Sequence, residues 1–134
     1  MSEREFIAVG CAVLTVSDTR TEDTDSSGAL LRERLSAMGH RLESYEIIPD
    51  DRERLRLRVQ EAMDNPNIAV VLCTGGTGIT GRDITPDVIA QLATRSIPGF
   101  GELFRWLSYR DIGTSTVQSR AGAWLCNCLL YTSP

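Results

Sequence analysis

The stretch of the sequence best suited to chemistry is a short loop rich in glycine and threonine, Thr74 to Asp83. Its four glycines leave few side chains over the main chain, so amide N–H groups can approach an anion closely. A helix starting near Thr85-Pro86 would add the positive end of its dipole. The glycines alone also suit a flexible turn, but a strand before the loop and a helix after it favour phosphate binding.

Part of this loop, Gly76 to Gly81, also matches the G-x-G-x-x-G pattern of dinucleotide-binding folds. In those folds the pattern follows the strand directly, and its last glycine packs inside the helix. Here Arg82 to Thr85 separate the pattern from the helix. The acidic residue expected about twenty positions further on is also missing, since Glu102 falls within a predicted helix. The pattern therefore does not predict an NAD-dependent enzyme.

Two aspartates are expected beside the phosphate loop. Asp83 ends the loop, and Asp50 follows the neighbouring predicted strand. Carboxylates at this position could hold Mg²⁺, which prefers oxygen ligands and keeps several waters. The alternatives are helix capping by Asp50 together with Glu53, and a turn or capping role for Asp83. Spacing alone does not separate these possibilities.

A third polar segment, Ser17 and Asp18, follows the first predicted strand. Asp18 could contact a ligand or cap a turn, and taken alone the capping role is favoured. The hydroxyl groups of Thr74, Thr77 and Thr80 add possible donors within the glycine-rich loop.

The residue types that are missing restrict the chemistry. All 14 basic residues are arginine, so the chain has no lysine for a Schiff base or for a lysine-bearing P-loop. The one histidine, His40, follows a predicted helix end, where a surface or capping role is expected. Serine–histidine and cysteine–histidine mechanisms therefore lack their base. Cys126 and Cys128 are closer together than structural zinc ligands, so we expect buried or incidental thiols and no metal there.

Predicted strands and helices alternate along the chain. The apolar runs predict strands at Phe6–Val16, Leu42–Ile48 and Ile68–Cys73, and capping residues, prolines and apolar spacing predict helices that begin near Ser26, Asp50, Thr85 and Phe100. Such alternation indicates an α/β fold with a parallel sheet covered on both faces. Right-handed crossovers place the loops that follow the strands at one edge of the sheet, where ligands bind.

Length and composition suit a single domain spanning residues 1–134. The chain has 42% hydrophobic and 24% charged residues and a net charge of −4, and no apolar run reaches the roughly 20 residues that cross a bilayer. The arginines at positions 52, 54, 56 and 58 would spread around a helix and form no basic stripe. We therefore expect a cytoplasmic protein that binds neither nucleic acid nor membrane.

Five motifs follow one another along the chain, namely Ser17–Arg20, Asp25–Gly28, Thr74–Pro86, Gly99–Arg105 and Gly113–Ala121. Together they resemble the MoaB/Mog family of molybdenum-cofactor biosynthesis proteins. The resemblance runs from about Ile7 to Ala121, and its later motifs are more similar to the MoaB branch.

The resemblance implies a three-layer α/β/α sandwich that assembles as a trimer or a dimer of trimers. It also implies an Mg²⁺-dependent enzyme that transfers the adenylyl group of ATP to the terminal phosphate of molybdopterin. Asp50 and Asp83 match the catalytic and metal-binding aspartates of the family. The expected ligand contacts are Ser17, Asp18, Thr74, Gly75, Gly76, Thr77, Gly78, Ser115 and Ser119.

Two expectations remain open at this point. After Ala121–Ala123 the family continues with a strand, a pterin-binding loop and a helix, whereas this sequence continues with Trp124 to Pro134. The C-terminal strand, loop and helix are therefore expected to be incomplete. The alternatives to an enzyme are a non-catalytic, oligomeric module that binds molybdopterin or nucleotide, and a structural subunit.

Overall fold

The computed structural model describes residues 5–126 and 129–133. The strands are β1 (Gly10–Val16), β2 (Arg41–Ile48), β3 (Val70–Thr74), β4 (Arg95–Ser96), β5 (Gly122–Leu125) and β6 (Leu129–Ser133). The α-helices are α1 (Ser26–Ala37), α2 (Arg52–Asp64), α3 (Thr85–Leu92) and α4 (Pro98–Ile112), and a 3₁₀ helix covers Gly113–Gln118. No helix in this part of the chain is long and apolar enough to cross a membrane.

The six strands form one sheet in the order β2-β1-β3-β6-β5-β4. β1 pairs in parallel with β2 and β3, and β3 pairs in parallel with β6. Only β5 runs the other way within the described sheet, because it is antiparallel to both β4 and β6. The α/β fold with a mostly parallel sheet is confirmed.

Helices cover both faces of the sheet, which gives three layers. On one face, α2 and α3 bury Leu55, Val59 and Ile89 against alternate residues of β1 and β3 such as Leu14 and Val71. On the other face, α1 packs Leu35 against Cys11 and Val13 of β1. The next helix on that face, α4, places Phe100 edge-on against Tyr131, with ring centroids 5.0 Å apart. Alternate strand residues therefore serve two different cores.

Helix α1 begins at Ser26, as predicted, but its cap is not one of the two serines, Ser26 and Ser27, that the sequence suggested. The N-cap is Asp25 and not Ser26 or Ser27, and its Oδ1 accepts from Gly28 N at 3.0 Å. Its Oδ2 accepts from the hydroxyl groups of Thr15 at 2.6 Å and Tyr45 at 2.5 Å. Burial alone raises the pKa of Asp25, but these hydrogen bonds outweigh burial and hold the pKa below its usual range. This network ties α1 to the ends of β1 and β2.

The N-terminus of helix α2 differs from the predicted capping box. Asp51, and not Asp50, is the N-cap, and its Oδ1 accepts from Arg54 N at 2.9 Å. Glu53 pairs with Arg56 one turn further on. The capping alternative for Asp50 is therefore wrong, because the neighbouring carboxylate already fills that position.

Smaller differences concern where elements begin. The first strand starts at Gly10 and not at Phe6, which is 63% exposed and stacks on His40. Helix α4 starts at Pro98, two residues before the predicted position, with proline in its first turn. Cys11 and Cys73 are buried, as expected, whereas Cys128 lies outside the described residues.

Candidate functional site

Loops that follow β1, β2 and β3 meet at the carboxyl edge of the sheet. Asp18, in the first loop, accepts from Asp50 N of the second loop through Oδ1 at 2.9 Å. Its other oxygen, Oδ2, pairs with Arg82 of the third loop. Ser17 begins the first loop, and its Oγ accepts from the main-chain N–H groups of Thr19 and Arg20. The predicted convergence of the three loops is therefore present, with Asp18 joining them.

The glycine-rich loop leaves β3 through two residues that need glycine. Gly75 and Gly76 have φ angles of +93° and +67°, the left-handed region that side chains avoid. A Cβ at Gly75 would lie 2.4 Å from the carbonyl oxygen of Val16, and one at Gly76 would lie 2.4 Å from Thr85 Oγ1. Both backbone angle and space therefore exclude larger residues, and the main chain passes close to β1 and α3.

Four consecutive carbonyl oxygens of this loop accept hydrogen bonds from protein donors. Thr85 donates through Oγ1 to Gly75 O at 2.9 Å and through its main-chain N to Gly76 O at 3.1 Å. Arg120 donates through its main-chain N to Thr77 O at 2.7 Å and through Nε to Gly78 O at 2.6 Å. The negative ends of four peptide groups are thus turned toward α3 and Arg120. Such alignment is the arrangement by which a loop presents amide groups to an anion.

Asp83 and Asp50 interact electrostatically. Asp83 Oδ2 accepts from Thr80 Oγ1 at 2.6 Å and from Thr80 N at 2.9 Å, and these bonds hold the pKa of Asp83 below its usual range. The pKa of Asp50 is raised, first by burial and then by the negative charge of Asp83. Asp83 therefore ionises first, and its charge opposes ionisation of Asp50.

These two carboxylates could hold a divalent cation only if substrates and waters supplied the other ligands. Within residues 5–126 and 129–133, no three His, Cys, Asp or Glu side chains come together as a complete metal site. Mg²⁺ is commonly bound by only one or two carboxylates, with waters and substrate phosphates as the remaining ligands. A cation between Asp50 and Asp83 would relieve the repulsion that raises the pKa of Asp50.

Cavities lie near both the β1 loop and the end of the glycine-rich loop. One, of about 190 Å³, is bounded by the ends of β1 and β3 and the start of α1, with Ser17, Arg20, Ser26, Ser27 and Gly75 in its wall. The other, of about 320 Å³, is lined by Arg52, Thr80, Gly81, Asp83, Asp87 and Arg120. Both walls contain hydroxyl and guanidinium groups that can bind phosphate, while the second wall also contains Ile79 and the carboxylates of Asp83 and Asp87.

The remaining predicted ligand residues are distributed unevenly around these cavities. Thr74 and Thr77 are only 2% and 3% exposed, so they lie under the surface of the loop. Ser115 is exposed on the 3₁₀ helix, while Ser119 directly precedes Arg120.

Thr85 and Arg120 both hold the glycine-rich loop, although neither was among the predicted site residues. Arg120 is the one charged residue in the stretch 113–123, which is otherwise small, hydroxyl-bearing, amide or apolar. An isolated arginine in such a stretch is a signal that could have been used. Thr85 offers no comparable signal, because a threonine before proline is also an ordinary helix start.

Comparison with known proteins agrees with the fold. A family model described as a probable molybdopterin binding domain matches residues 12–131. Molybdenum cofactor biosynthesis protein B of Bacillus cereus is 50% identical over 128 residues, which cover 94% of this chain and 76% of that protein.

Solved structures extend the similarity. A crystal structure of molybdenum cofactor biosynthesis protein B superposes with a TM-score of 0.92 at 43% identity, covering 98% of this chain and 83% of that one. The tungsten cofactor synthesizing protein MoaB from Pyrococcus furiosus gives a TM-score of 0.84 at 36% identity, covering 95% of this chain and 82% of its own. The chain therefore belongs to the MoaB/Mog family of molybdenum-cofactor biosynthesis proteins.

Proposed function

We propose that the protein transfers the adenylyl group of ATP to the terminal phosphate of molybdopterin in an Mg²⁺-dependent reaction. The observation that carries this proposal is the coupled pair of carboxylates, Asp50 and Asp83, beside a glycine-rich loop whose carbonyl groups are turned away into the protein. Two carboxylates beside bound phosphates would favour a cation between them, because it would neutralise both the carboxylates and the phosphate oxygens. A scaffold protein has no need of both carboxylates.

The side chains available suit this reaction. A phosphate monoester is already anionic at neutral pH, so its oxygen can attack without a histidine or lysine base. A new bond forms between that oxygen and the α-phosphorus of ATP, the bond to the bridging oxygen breaks, and pyrophosphate leaves. Positioning and charge neutralisation dominate reactions of this type. When bound, Mg²⁺ would neutralise charge on the phosphate oxygens.

We assign the loop amides of Gly75, Gly76 and Thr77 to the substrate phosphates, and Asp50 and Asp83 to the cation. The N–H of Gly78 is not assigned to a phosphate, because it is directed to the carboxylate of Asp83. Ser17, Thr74 and residues near Ser119 are proposed to shape the surrounding pocket. The cavity near the start of α1 and the cavity near Asp83 offer separate polar spaces for two substrates. An ATP-dependent reaction of this kind fits the cytoplasmic location that the sequence led us to expect.

We also propose that the protein acts as a trimer or hexamer through the outer face of α4. The only buried residue of this 15-residue helix is Gly101. Leu103, Trp106, Tyr109 and Ile112 are all more than half exposed on it. Monomers rarely expose contiguous apolar patches larger than a few hundred Å², so such a face is typical of a subunit interface.

Measurement of AMP transfer in Asp50→Asn and Asp83→Asn tests the catalytic proposal. We expect each change to lower turnover by about 100-fold or more, since a cation that stabilises the transition state contributes several kcal/mol. Asp51→Asn is the matched control, because asparagine caps a helix about as well as aspartate.

Three outcomes of the wild-type assay separate the candidate functions. Transfer of AMP that needs Mg²⁺ and both aspartates supports the enzyme. Tight binding of ATP or molybdopterin without turnover supports the binding module, and absence of binding leaves only the structural subunit. Near-normal turnover in both aspartate variants would remove these residues from the mechanism.

A further inference from the structure

Arg120 donates three hydrogen bonds to main-chain oxygens of the glycine-rich loop, although the proposed reaction gives it no role. Its main-chain N donates to Thr77 O, its Nε donates to Gly78 O at 2.6 Å, and its Nη2 donates to Asp83 O. Its Nη1 also pairs with Asp87 Oδ1 of α3 at 2.9 Å. One residue from beyond the 3₁₀ helix thus holds both ends of the segment between Gly78 and Asp83.

These contacts determine which way the loop amides face. In a trans peptide group the N–H lies opposite the carbonyl oxygen. Drawing Gly78 O toward Arg120 therefore turns the N–H of Ile79 away from it, and drawing Thr77 O inward does the same for the N–H of Gly78. The N–H of Gly78 is indeed directed to the carboxylate of Asp83, where it helps to hold the pKa below its usual range.

We propose that Arg120 is a positioning residue that fixes the main chain from Gly78 to Asp83, and with it the carboxylate of Asp83, for binding of phosphate together with Mg²⁺. This inference rests on the proposed function, because it concerns the same loop. Arg120 itself is poorly suited to be the phosphate ligand. Three of its side-chain N–H groups are used within the protein, and the carboxylate of Asp87 already balances its charge.

The alternative is that Arg120 merely stabilises the fold. The side chain is 33% exposed, and its ion pair with Asp87 is exposed on both sides, so a large part of the global stability is not expected to depend on it. The Arg120→Lys variant separates the two roles. Lysine keeps the charge and the main-chain bond to Thr77. Its single ammonium group, however, cannot replace the planar guanidinium group, which donates to Gly78 O and Asp83 O at the same time.

The experiment uses inorganic pyrophosphate as the probe, with affinity measured by calorimetry in the presence of Mg²⁺, and hydrogen–deuterium exchange of residues 75–83. We expect Arg120→Lys to exchange faster in this segment and to bind pyrophosphate at least about tenfold more weakly, because a shift near 1 Å costs as much as 100-fold in a positioned site. The melting temperature should change little. For Arg120→Ala, free guanidinium at millimolar concentration should restore part of the affinity.

Arg56→Lys provides the matched control, because it makes the same change at a paired guanidinium on α2 that lines neither cavity. Its affinity for pyrophosphate should stay within about threefold of wild type. Weaker pyrophosphate binding by Arg120→Lys with unchanged exchange of residues 75–83 would instead identify Arg120 as a direct phosphate ligand and overturn the positioning role. Unchanged exchange and affinity in Arg120→Lys, or no pyrophosphate binding by the wild-type protein, would also overturn it.

The two proposals can fail separately. If the wild-type protein binds pyrophosphate but transfers no AMP, the adenylyl-transfer proposal fails, while the effect of Arg120→Lys on exchange and affinity still decides the positioning role. If wild type and Arg120→Lys transfer AMP with equal kcat and KM, the reaction stands and the inference about Arg120 is wrong.

Discussion

A single methyl group added to the glycine-rich loop should disable the site without unfolding the protein. A Cβ at Gly78 would lie 2.7 Å from Oδ2 of Asp83, the oxygen that Thr80 holds at 2.6 and 2.9 Å. Gly81, three residues further along the same loop, has no neighbouring atom within 4 Å of its Cβ position. Neither glycine has a positive φ, so alanine causes no backbone strain at either position. Gly81→Ala is therefore a matched control for Gly78→Ala.

The magnitude follows from the distance that the carboxylate must move. An ordinary carbon–oxygen contact of about 3.4 Å requires Asp83 Oδ2 to shift by roughly 0.7 Å, taking usual van der Waals separations. Such a shift weakens the bonds to Thr80 and displaces a proposed metal ligand. Misplacement of about 1 Å lowers rates by up to about 100-fold. We expect kcat to fall by 10- to 100-fold, and stability by about 1–3 kcal/mol from the charged hydrogen bonds.

The assay is steady-state AMP transfer from ATP to molybdopterin across a range of Mg²⁺ concentrations. Gly78→Ala should lower kcat and require more Mg²⁺ for half-maximal activity, whereas Gly81→Ala should behave like wild type. Equal activities of the two variants would refute the reasoning, because the position of the Asp83 carboxylate would then not matter to the reaction.

Three further predictions concern stability and assembly. Burial and the charge of Asp83 raise the pKa of Asp50, so the ionised form of Asp50 destabilises the fold. Without Mg²⁺, Asp50→Asn should therefore raise the melting temperature at neutral pH. This gain should vanish as the pH falls through the raised pKa of Asp50. Asp25→Ala should lower the free energy of unfolding in urea by about 2–4 kcal/mol at neutral pH, because it leaves Thr15 and Tyr45 without their acceptor. Since the pKa of Asp25 is lowered, this difference from wild type should shrink below about pH 4. The control variant Asp23→Ala should show no such loss. Trp106→Glu should shift the protein toward the monomer in analytical ultracentrifugation, whereas the equally exposed Met38→Glu on α1 should not; unchanged mass in Trp106→Glu would exclude the α4 face as the interface.

The catalytic candidates followed from the sequence because strand order along the chain determines which loops share an edge. Three parallel strands with right-handed crossovers bring Ser17, Asp50 and Asp83 to one edge of the sheet, whatever the details of packing. Two neighbouring positive-φ residues after β3 were likewise predictable, since only glycine tolerates such turns at low cost. Local signals were sufficient for these features.

Other features depended on contacts between distant parts of the chain. The carboxylates of Asp50 and Asp51 can both accept from an early N–H group of α2, so local sequence does not decide which one caps the helix. The bond from Asp50 N to Asp18, 32 residues away, settles the choice in favour of Asp51. Similarly, α1 could begin at Asp25, Ser26 or Ser27 by propensity alone. Thr15 and Tyr45 select Asp25, because only its carboxylate meets both hydroxyl groups.

The sequence by itself determined the α/β class and the place of the glycine-rich loop after the third strand, because hydrophobic periodicity and glycine placement act over a few residues. Only the tertiary structure showed that Leu129–Ser133 pairs in parallel with β3, and that Arg120 and Thr85 hold the loop carbonyl groups. Arg120 lies 42 positions from Gly78 in the chain, and no local pattern records a contact between residues so far apart. Such contacts arise only when the sheet and its helices are packed, which is why the orientation of the loop could not be predicted from its composition.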